Sequence, residues 1–255
     1  MPGTGSGMEK TVLNRANKEW KVEVPKKYQS WLKAEALSET ELKVTTTTTN
    51  NLMVNRVGHI IMKTKEVIDG FDGITFDISQ GTAFWKEGGA DNYVVDEETG
   101  YMTLYGSGIV TNYLFKKGRL AFDFESINLT GEDWIEFNMW PNSGNTNFHL
   151  HFYANKESNF TCGGSGLNWT QKTFTWTSEQ TNVVKKIEFL VVNKEEGSNA
   201  LVIKLIIDCV EVAVLDNNRT DPYATEPGAP VYFRMHTTNK ASNFTVKSIT
   251  WEPVE

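Results

Sequence analysis

Ionisable and aromatic side chains recur at every second position in three short stretches of this chain. Residues 134–140 are Trp-Ile-Glu-Phe-Asn-Met-Trp, residues 148–153 are Phe-His-Leu-His-Phe-Tyr, and residues 231–236 are Val-Tyr-Phe-Arg-Met-His. Side chains of a β-strand alternate between its two faces, so each stretch predicts a strand with one apolar face. The other face carries imidazole, carboxylate, guanidinium and aromatic groups, which suits ligand binding or catalysis better than plain exposure to solvent.

If these three strands share a sheet, their polar and aromatic side chains form one surface. Aromatic rings can stack on the faces of pyranose rings, and the polar groups can fix sugar hydroxyls without any activated group. We therefore predict polysaccharide recognition at this surface. The expected ligand-binding residues are Trp134, Glu136, Asn138, Trp140, His149, Tyr153 and His236. Three further residues, His151, Tyr232 and Arg234, belong to the same surface and would be catalytic only in a lyase.

The chain around these stretches has the pattern of an all-β protein. From Phe71 onward, short alternating segments separated by turn residues predict a two-sheet antiparallel sandwich or jelly roll. Lys117-Gly118 gives the strongest hairpin signal. We expect residues 1–7 to be a flexible leader, residues 8–70 to be an N-terminal β/helical extension or accessory β unit, and residues 71–255 to be the jelly roll. Within the extension, the spacing of Tyr28, Trp31 and Leu32 predicts a short helix over 25–37.

Composition excludes several classes of partner. The formal charge is −7, so the chain has no basic stripe for releasing phosphate counterions, and we expect no nucleic-acid binding. No apolar run approaches the roughly 20 residues that a membrane-spanning helix needs. The first seven residues, Met-Pro-Gly-Thr-Gly-Ser-Gly, lack the charged and apolar regions of a signal peptide. Targeting signals therefore leave the location open, and our expectation is an extracellular or cell-surface protein.

Two segments resemble the concanavalin A-like lectin/glucanase superfamily, which has a laminin G-like jelly roll. They are the strand Gly-Arg-Leu-Ala-Phe-Asp-Phe from Gly118 and the closing segment from Val231 to Trp251. The resemblance covers about residues 71–252 and is one of pattern rather than of an invariant motif. It implies two antiparallel sheets with sugars bound across the concave one. The superfamily includes lectins, carbohydrate-binding modules, glycosidases and polysaccharide lyases, so the family within it stays unresolved.

A lyase that cleaves a uronate-containing glycan is the first enzymatic alternative. His149-Leu-His151 and Tyr232-Phe-Arg-Met-His236 are similar to the Gln-Xaa-His and Tyr-Phe-Lys-Xaa-Gly-Xaa-Tyr strands of alginate-lyase-like jelly rolls. The resemblance implies His151 or Tyr232 as the base and Arg234 or Asn138 as the group that neutralises the carboxylate. Histidine replaces the Gln, arginine replaces the Lys, and both the second Tyr and an Arg-Xaa-Glu-Xaa-Arg strand are missing, so the motif is only partly met.

A glycoside hydrolase is a weaker alternative. Laminarinase-like members carry Glu-Xaa-Asp-Xaa-Glu on one strand, whereas this chain has Glu132 and Glu136 with Trp134 in the middle position. Residues four apart on a regular strand are about 13 Å apart at Cα. Glycosidases need carboxyl groups roughly 5.5 to 9.5 Å apart. A structural or assembly protein, in which this face packs on another segment or partner, is the non-sugar alternative.

We expect no metal or other cofactor. His149, His151 and His236 have the residue type of a zinc site, but paired histidines on strands recur without metal. Calcium has a candidate loop of oxygen donors, for which a solvated turn is the simpler interpretation. Its residues are Asp216, Asn217, Asn218 and Asp221. The two cysteines, Cys162 and Cys209, do not make a disulfide framework, and their pairing is left open, as is the oligomeric state.

Overall fold

The structure is a computed structural model. It describes residues 8–13, 19–114, 117–130, 133–140, 146–153, 157–164, 170–175, 180, 183–198, 200–216, 232–237 and 241–254. The chain divides into two compact units, Met1–Ala83 and Phe84–Glu255. The flexible leader expected at residues 1–7 lies outside the described residues. No helix among the described residues is long and apolar enough to cross a membrane.

The first unit contains two three-stranded antiparallel sheets. Its strands are β1 (Met8–Leu13), β2 (Trp20–Glu23), β3 (Leu32–Ala36), β4 (Glu41–Thr46), β5 (Arg56–Thr64) and β6 (Ile74–Gln80). The sheet orders are β1-β4-β3 and β2-β5-β6. A buried cluster that includes Trp20, Trp31 and Leu32 forms the core of this unit. Gly58 is required beside Trp31, because a Cβ there would lie 2.7 Å from the indole Cζ2.

Two sequence expectations differ from this unit. The helix predicted over 25–37 is wrong: only Lys26–Tyr28 forms a 3-10 turn, and Leu32–Ala36 is a strand. The reason is that Trp31 and Leu32 are buried in the core from the start of β3, which the helical spacing did not anticipate. The sequence placed the unit boundary after residue 70, whereas the compact units divide after Ala83, because β6 pairs with β5 along its whole length.

The second unit contains two seven-stranded antiparallel sheets. The first, here called sheet I, contains β7 (Phe84–Lys86), β10 (Gly108–Leu114), β12 (Trp134–Trp140), β13 (Thr146–Tyr153), β14 (Glu157–Gly164), β15 (Thr170–Thr175) and β19 (Tyr232–His236). Sheet II contains β8 (Tyr93–Val95), β9 (Met102–Tyr105), β11 (Gly118–Asn128), β16 (Lys186–Asn193), β17 (Leu201–Ile207), β18 (Val210–Asp216) and β20 (Asn243–Pro253). The orders are β15-β14-β13-β12-β19-β10-β7 and β18-β17-β16-β11-β20-β9-β8. A second 3-10 turn lies at Ala90–Asn92. The all-β jelly-roll prediction is confirmed.

Phenylalanine rings join the two sheets. Phe137 and Phe233 of sheet I pack against Phe122 and Phe189 of sheet II, with ring centroids 4.7 to 5.6 Å apart. All four rings are at most 1% exposed. Tilted and edge-on pairs at these distances add favourable quadrupole interactions to the burial of apolar area. These contacts therefore form the centre of the core and fix which face of each strand points inward.

The hairpin predicted at Lys117-Gly118 is wrong. β10 pairs with β19 and β7 in sheet I, whereas β11 pairs with β16 and β20 in sheet II. The Lys-Gly turn therefore leads from one sheet to the other. Gly118 has φ of 154°, and a Cβ there would lie 2.4 Å from the ring of Trp251, so its glycine serves close packing rather than a hairpin.

A two-residue turn at Asp208-Cys209 joins β17 and β18, and no sequence signal had marked it. Both residues have positive φ, 46° and 69°, as in the tight hairpin turns that glycine and asparagine favour. The Asp208 carboxylate accepts hydrogen bonds from the backbone N–H groups of Lys185 and Lys186, at 2.9 and 2.8 Å. Cys209 is exposed and its thiol is free.

We expect Cys209→Gly to stabilise the protein by about 0.5–1 kcal/mol relative to Cys209→Ala. Glycine adopts φ of +69° without the Cβ clash that any other L-residue meets, although it gains more freedom in the unfolded chain. Urea unfolding of both variants measures the difference. Since neither variant has the thiol, an equal stability of the two would contradict the strain at this turn.

Candidate functional site

The three strands that carry the predicted site are neighbours in sheet I. β12 lies between β13 and β19, and both pairs are antiparallel. Glu136 is opposite His151 on one side and His236 on the other. Asn138 is likewise opposite His149 and Arg234. The expectation that these strands share one sheet is therefore confirmed.

Burial follows the predicted alternation. Six side chains of these strands face sheet II and are at most 1% exposed: Ile135, Phe137, Leu150, Phe152, Phe233 and Met235. The intervening residues lie on the opposite face, here called the outer face of sheet I. A one-residue shift of any strand would exchange the two sets, so the buried rings determine what this face displays.

Glu136 lies at the centre of the outer face. Its Oε1 accepts a 2.6 Å hydrogen bond from Asn138 Nδ2. Its Oε2 lies 3.0 Å from His236 Nε2 and 3.7 Å from His151 Nε2. The 3.0 Å contact is an ion-pair distance but not a hydrogen bond, since His236 Nε2 has no hydrogen-bond partner among the described residues. We call Glu136, Asn138, His151 and His236 the polar centre.

Several polar atoms on this face are buried without a hydrogen-bond partner. Among the described residues they include Trp134 Nε1, Asn138 Oδ1 and His236 Nε2. Asn138 is 2% exposed and His236 is 8% exposed. An unsatisfied buried polar group costs roughly 1–3 kcal/mol. Three such atoms lie within two neighbouring strands, so this part of the outer face lowers the stability of the fold.

Aromatic side chains flank the polar centre along the strands. Trp134 packs against His151 and Tyr153, with centroid distances of 5.7 and 5.5 Å. On the other side, Tyr232 meets Trp85 edge-on at 5.1 Å. Trp85 belongs to the outer face because it pairs with Val110, which pairs with Arg234. All of these aromatic side chains are half-buried.

Arg234 is held by a residue that the sequence analysis missed. Its Nε donates a 2.6 Å hydrogen bond to Oε2 of Glu87, which follows β7 and lies 147 positions earlier in the chain. Gly108 makes this arrangement possible, because a Cβ there would lie 2.8 Å from Glu87 Oε2 and 2.5 Å from the Cβ of His236. No local pattern links Glu87 to Arg234, and only the pairing of β7, β10 and β19 brings them together.

For some predicted site residues the structure describes only the backbone position, and others lie outside the described residues. Trp140 is opposite Tyr232 and His149 is opposite Asn138, both in the outer-face register. Glu132 of the hydrolase motif lies outside the described residues, as do Asn217, Asn218 and Asp221 of the candidate calcium loop. In the described part of the chain, no group of three or more His, Cys, Asp or Glu side chains is arranged to hold a metal. The role of every predicted site residue stays a prediction.

Comparisons with known structures find β-sandwich proteins. The chain is similar to a Bacillus licheniformis β-glucanase, with 10% identity, a TM-score of 0.44 and coverage of 68% of this chain and 92% of that one. It is similar to LamA of Z. galactanivorans in complex with laminaritriose and laminaritetraose, with 12% identity, a TM-score of 0.42 and coverage of 64% and 82%. It is also similar to peanut lectin, with 9% identity, a TM-score of 0.34 and coverage of 78% and 99%.

The family to which this chain belongs is unresolved. No family model matches the chain, and no curated protein matches it in sequence. At TM-scores below 0.5 the likenesses carry no argument about function. The geometry of the outer face has to supply that argument.

We expect Gly108→Ala to destabilise the protein by about 1–3 kcal/mol, because the new methyl group would overlap the Cβ of His236 and the backbone oxygen of Met235. Urea unfolding measures this cost. Gly89→Ala is the matched control, since a Cβ at Gly89 meets nothing within 4 Å, and its stability should change by no more than about 0.5 kcal/mol. Equal effects of the two substitutions would show that Gly108 is not needed for close packing.

Proposed function

We propose that this protein binds a polysaccharide along the outer face of sheet I. The proposal rests on the order of the groups along that face. The cluster of Trp134, His151 and Tyr153 comes first, then the polar centre with its buried atoms that lack a hydrogen bond, and then the pair of Tyr232 and Trp85. Trp134 and Trp140 are six residues apart on β12, so the face extends for about 20 Å along the strands. A surface of this length suits a chain of sugars rather than one small molecule.

The physical chemistry of sugars matches both kinds of group. A pyranose ring has apolar C–H faces that stack on aromatic rings, as Trp134, Tyr153 and Tyr232 offer. Its hydroxyl groups both donate and accept hydrogen bonds, so a ligand that displaces the side chains covering them can satisfy the amide oxygen of Asn138 and the imidazole of His236. Satisfying atoms that are already desolvated returns the free energy that their burial costs.

Binding a polysaccharide requires no proton transfer. The aromatic and polar side chains of the outer face are therefore sufficient for it. The partner in this proposal is a glycan, which implies an extracellular or cell-surface location. The protein would act there as a carbohydrate-binding module of the lectin type. No cofactor is needed for stacking or for hydrogen bonding to hydroxyls.

Catalysis on the bound glycan is the second candidate, and the geometry of Glu136 favours it. A carboxylate 3.0 and 3.7 Å from two imidazole nitrogens brings together the residue types of general acid–base catalysis, although the His236 contact would have to become a hydrogen bond before it could carry a proton. In the lyase assignment, His151 would be the base beside Glu136. Tyr232 is opposite Trp140, four residues along β12 from Glu136, a separation of about 13 Å. His151 and Tyr232 would therefore act at different sugar residues, and Arg234 is already paired with Glu87.

We expect Tyr153→Leu to weaken polysaccharide binding about 3- to 10-fold, which corresponds to about 0.5–1.5 kcal/mol for one aromatic contact. Affinity electrophoresis in gels that contain β-glucan, xylan, mannan or polygalacturonate measures the retardation. Tyr101→Leu is the matched control, because Tyr101 is also half-buried but lies beside β9 of sheet II. If no gel retards the unaltered protein, the proposed function is wrong.

We expect the protein to release neither new reducing ends nor an unsaturated uronate product from any polymer that retards it. Reducing-sugar assays and ultraviolet absorbance measure the two products. Turnover that is lost in Glu136→Gln but kept in Glu211→Gln, on the opposite sheet, would favour the catalytic candidate instead. The exposed Glu211 forms an ion pair with the half-buried Lys204, so its substitution controls for the loss of one charge.

A further inference from the structure

A pocket of about 340 Å³ lies at the β7 side of the polar centre. It is lined by Glu87, Ser107, Gly108, Arg234, His236 and Thr237, together with loop residues around Gly88 and Gly106. Its volume is near the lower end of the roughly 300–1,000 Å³ typical of small-molecule sites. Three of the lining positions are glycines, and at Gly108 the missing Cβ lets His236 and Glu87 lie close to the backbone of β10. The volume suits one sugar ring.

The pocket is lined by two buried polar side chains that each have an atom without a hydrogen-bond partner. Ser107 Oγ and His236 Nε2 make no hydrogen bond within the described residues, and each residue is 8% exposed. Two larger cavities, of about 700 and 440 Å³, lie in the first unit, and charged residues that line them have partners. Charged residues there pair with one another, as Lys43 does with Glu9 at 2.7 Å and Lys65 does with Glu19 at 3.0 Å.

The charges around the pocket disfavour an anionic ligand. Glu87 neutralises Arg234 through the 2.6 Å contact at Nε. Glu136 adds a second carboxylate beside His236, and Asp133 adds a third behind Thr237, whose hydroxyl donates a 2.9 Å hydrogen bond to Asp133 Oδ2. Glu87 in the pocket wall and these two carboxylates behind it thus accompany one guanidinium, in a chain whose formal net charge is already −7. A uronate would enter a region of negative potential.

The remaining hydrogen-bonding capacity matches neighbouring hydroxyl groups. Among the described residues, Arg234 makes no hydrogen bond through its two terminal nitrogens, and Glu87 makes none through Oε1. A guanidinium that donates beside a carboxylate that accepts can hold two adjacent hydroxyls, one as acceptor and the other as donor. Ser107 can both donate and accept, so it suits a third hydroxyl.

We propose that this pocket binds one neutral sugar residue of the polysaccharide through Glu87, Ser107 and Arg234, and that the Glu87–Arg234 pair selects against uronates. The inference rests on the proposed function and names the class of glycan that it takes. It also assigns Arg234 to hydroxyl recognition rather than to neutralising a substrate carboxylate.

The test compares binding of the full chain to neutral polymers, namely β-glucan, xylan and mannan, with binding to polygalacturonate in the same buffer. We expect the unaltered protein to bind at least one neutral polymer and to bind polygalacturonate more weakly. Ser107→Ala should weaken neutral binding about 2- to 10-fold, the effect of one lost hydrogen bond. Its folded state loses no internal hydrogen bond, because the hydroxyl has no partner within the described residues.

Glu87→Gln provides the sharper readout. It keeps the shape of the side chain but removes the charge that neutralises Arg234, so neutral binding should fall while polygalacturonate binding rises. Glu211→Gln, which removes the same charge from an ion pair on sheet II, should change neither. Thermal unfolding of each variant checks that the fold is kept.

The outcomes separate the two proposals. If the unaltered protein binds no polymer, the proposed function and this inference both fail. If it binds polygalacturonate better than the neutral polymers, the neutral-sugar assignment is overturned while carbohydrate binding stands. If neutral binding is weakened by Tyr153→Leu but unchanged by Ser107→Ala and Glu87→Gln, the pocket is not a sugar subsite.

Discussion

Packing between the two seven-stranded sheets is the constraint on which the candidate site depends. Phe137 and Phe233 of sheet I are locked against Phe122 and Phe189 of sheet II. Removing one buried phenylalanine ring from such a core costs about 3–5 kcal/mol. Since side chains alternate along a strand, a ring that must point inward at Phe137 forces Glu136 and Asn138 outward. The composition of the outer face is therefore a consequence of the core.

The outer face contains buried polar groups that lower the stability of the folded protein. Glu136 and His236 are largely buried, and Trp134, Asn138 and His236 each carry a buried polar atom without a hydrogen-bond partner. Folding alone gains nothing from such atoms, because water would have satisfied them in the unfolded chain. Binding recovers that cost once the side chains that cover these buried atoms move aside for the ligand. This is the physical link between the buried polar atoms and recognition.

Local patterns predicted the strands of the site well and the connections badly. The two-residue period of residues 134–138 and 232–236 separated inward from outward side chains correctly, because one face of each strand is buried. Lys117-Gly118 has the composition of a hairpin turn, yet β10 and β11 belong to different sheets. A Lys-Gly dipeptide can join two strands of a hairpin or two strands of different sheets. Only the pairing partners of the two strands show which connection it makes. The helix predicted over 25–37 failed for a similar reason, since Trp31 and Leu32 are buried by long-range packing.

The sequence by itself determined the all-β class, the alternation of the three site strands and the chemical character of the face that they share. These features could be predicted because the alternation of side chains along a strand is local. When one face of the strand is buried, apolar and polar residues alternate in the sequence itself. Tertiary structure alone decided that β13, β12 and β19 are adjacent, that Glu87 reaches Arg234 from 147 positions away, and that His236 packs against Gly108. Those contacts join segments distant in the chain, and their pairing is set by the packing of the whole sheet rather than by any neighbouring residue.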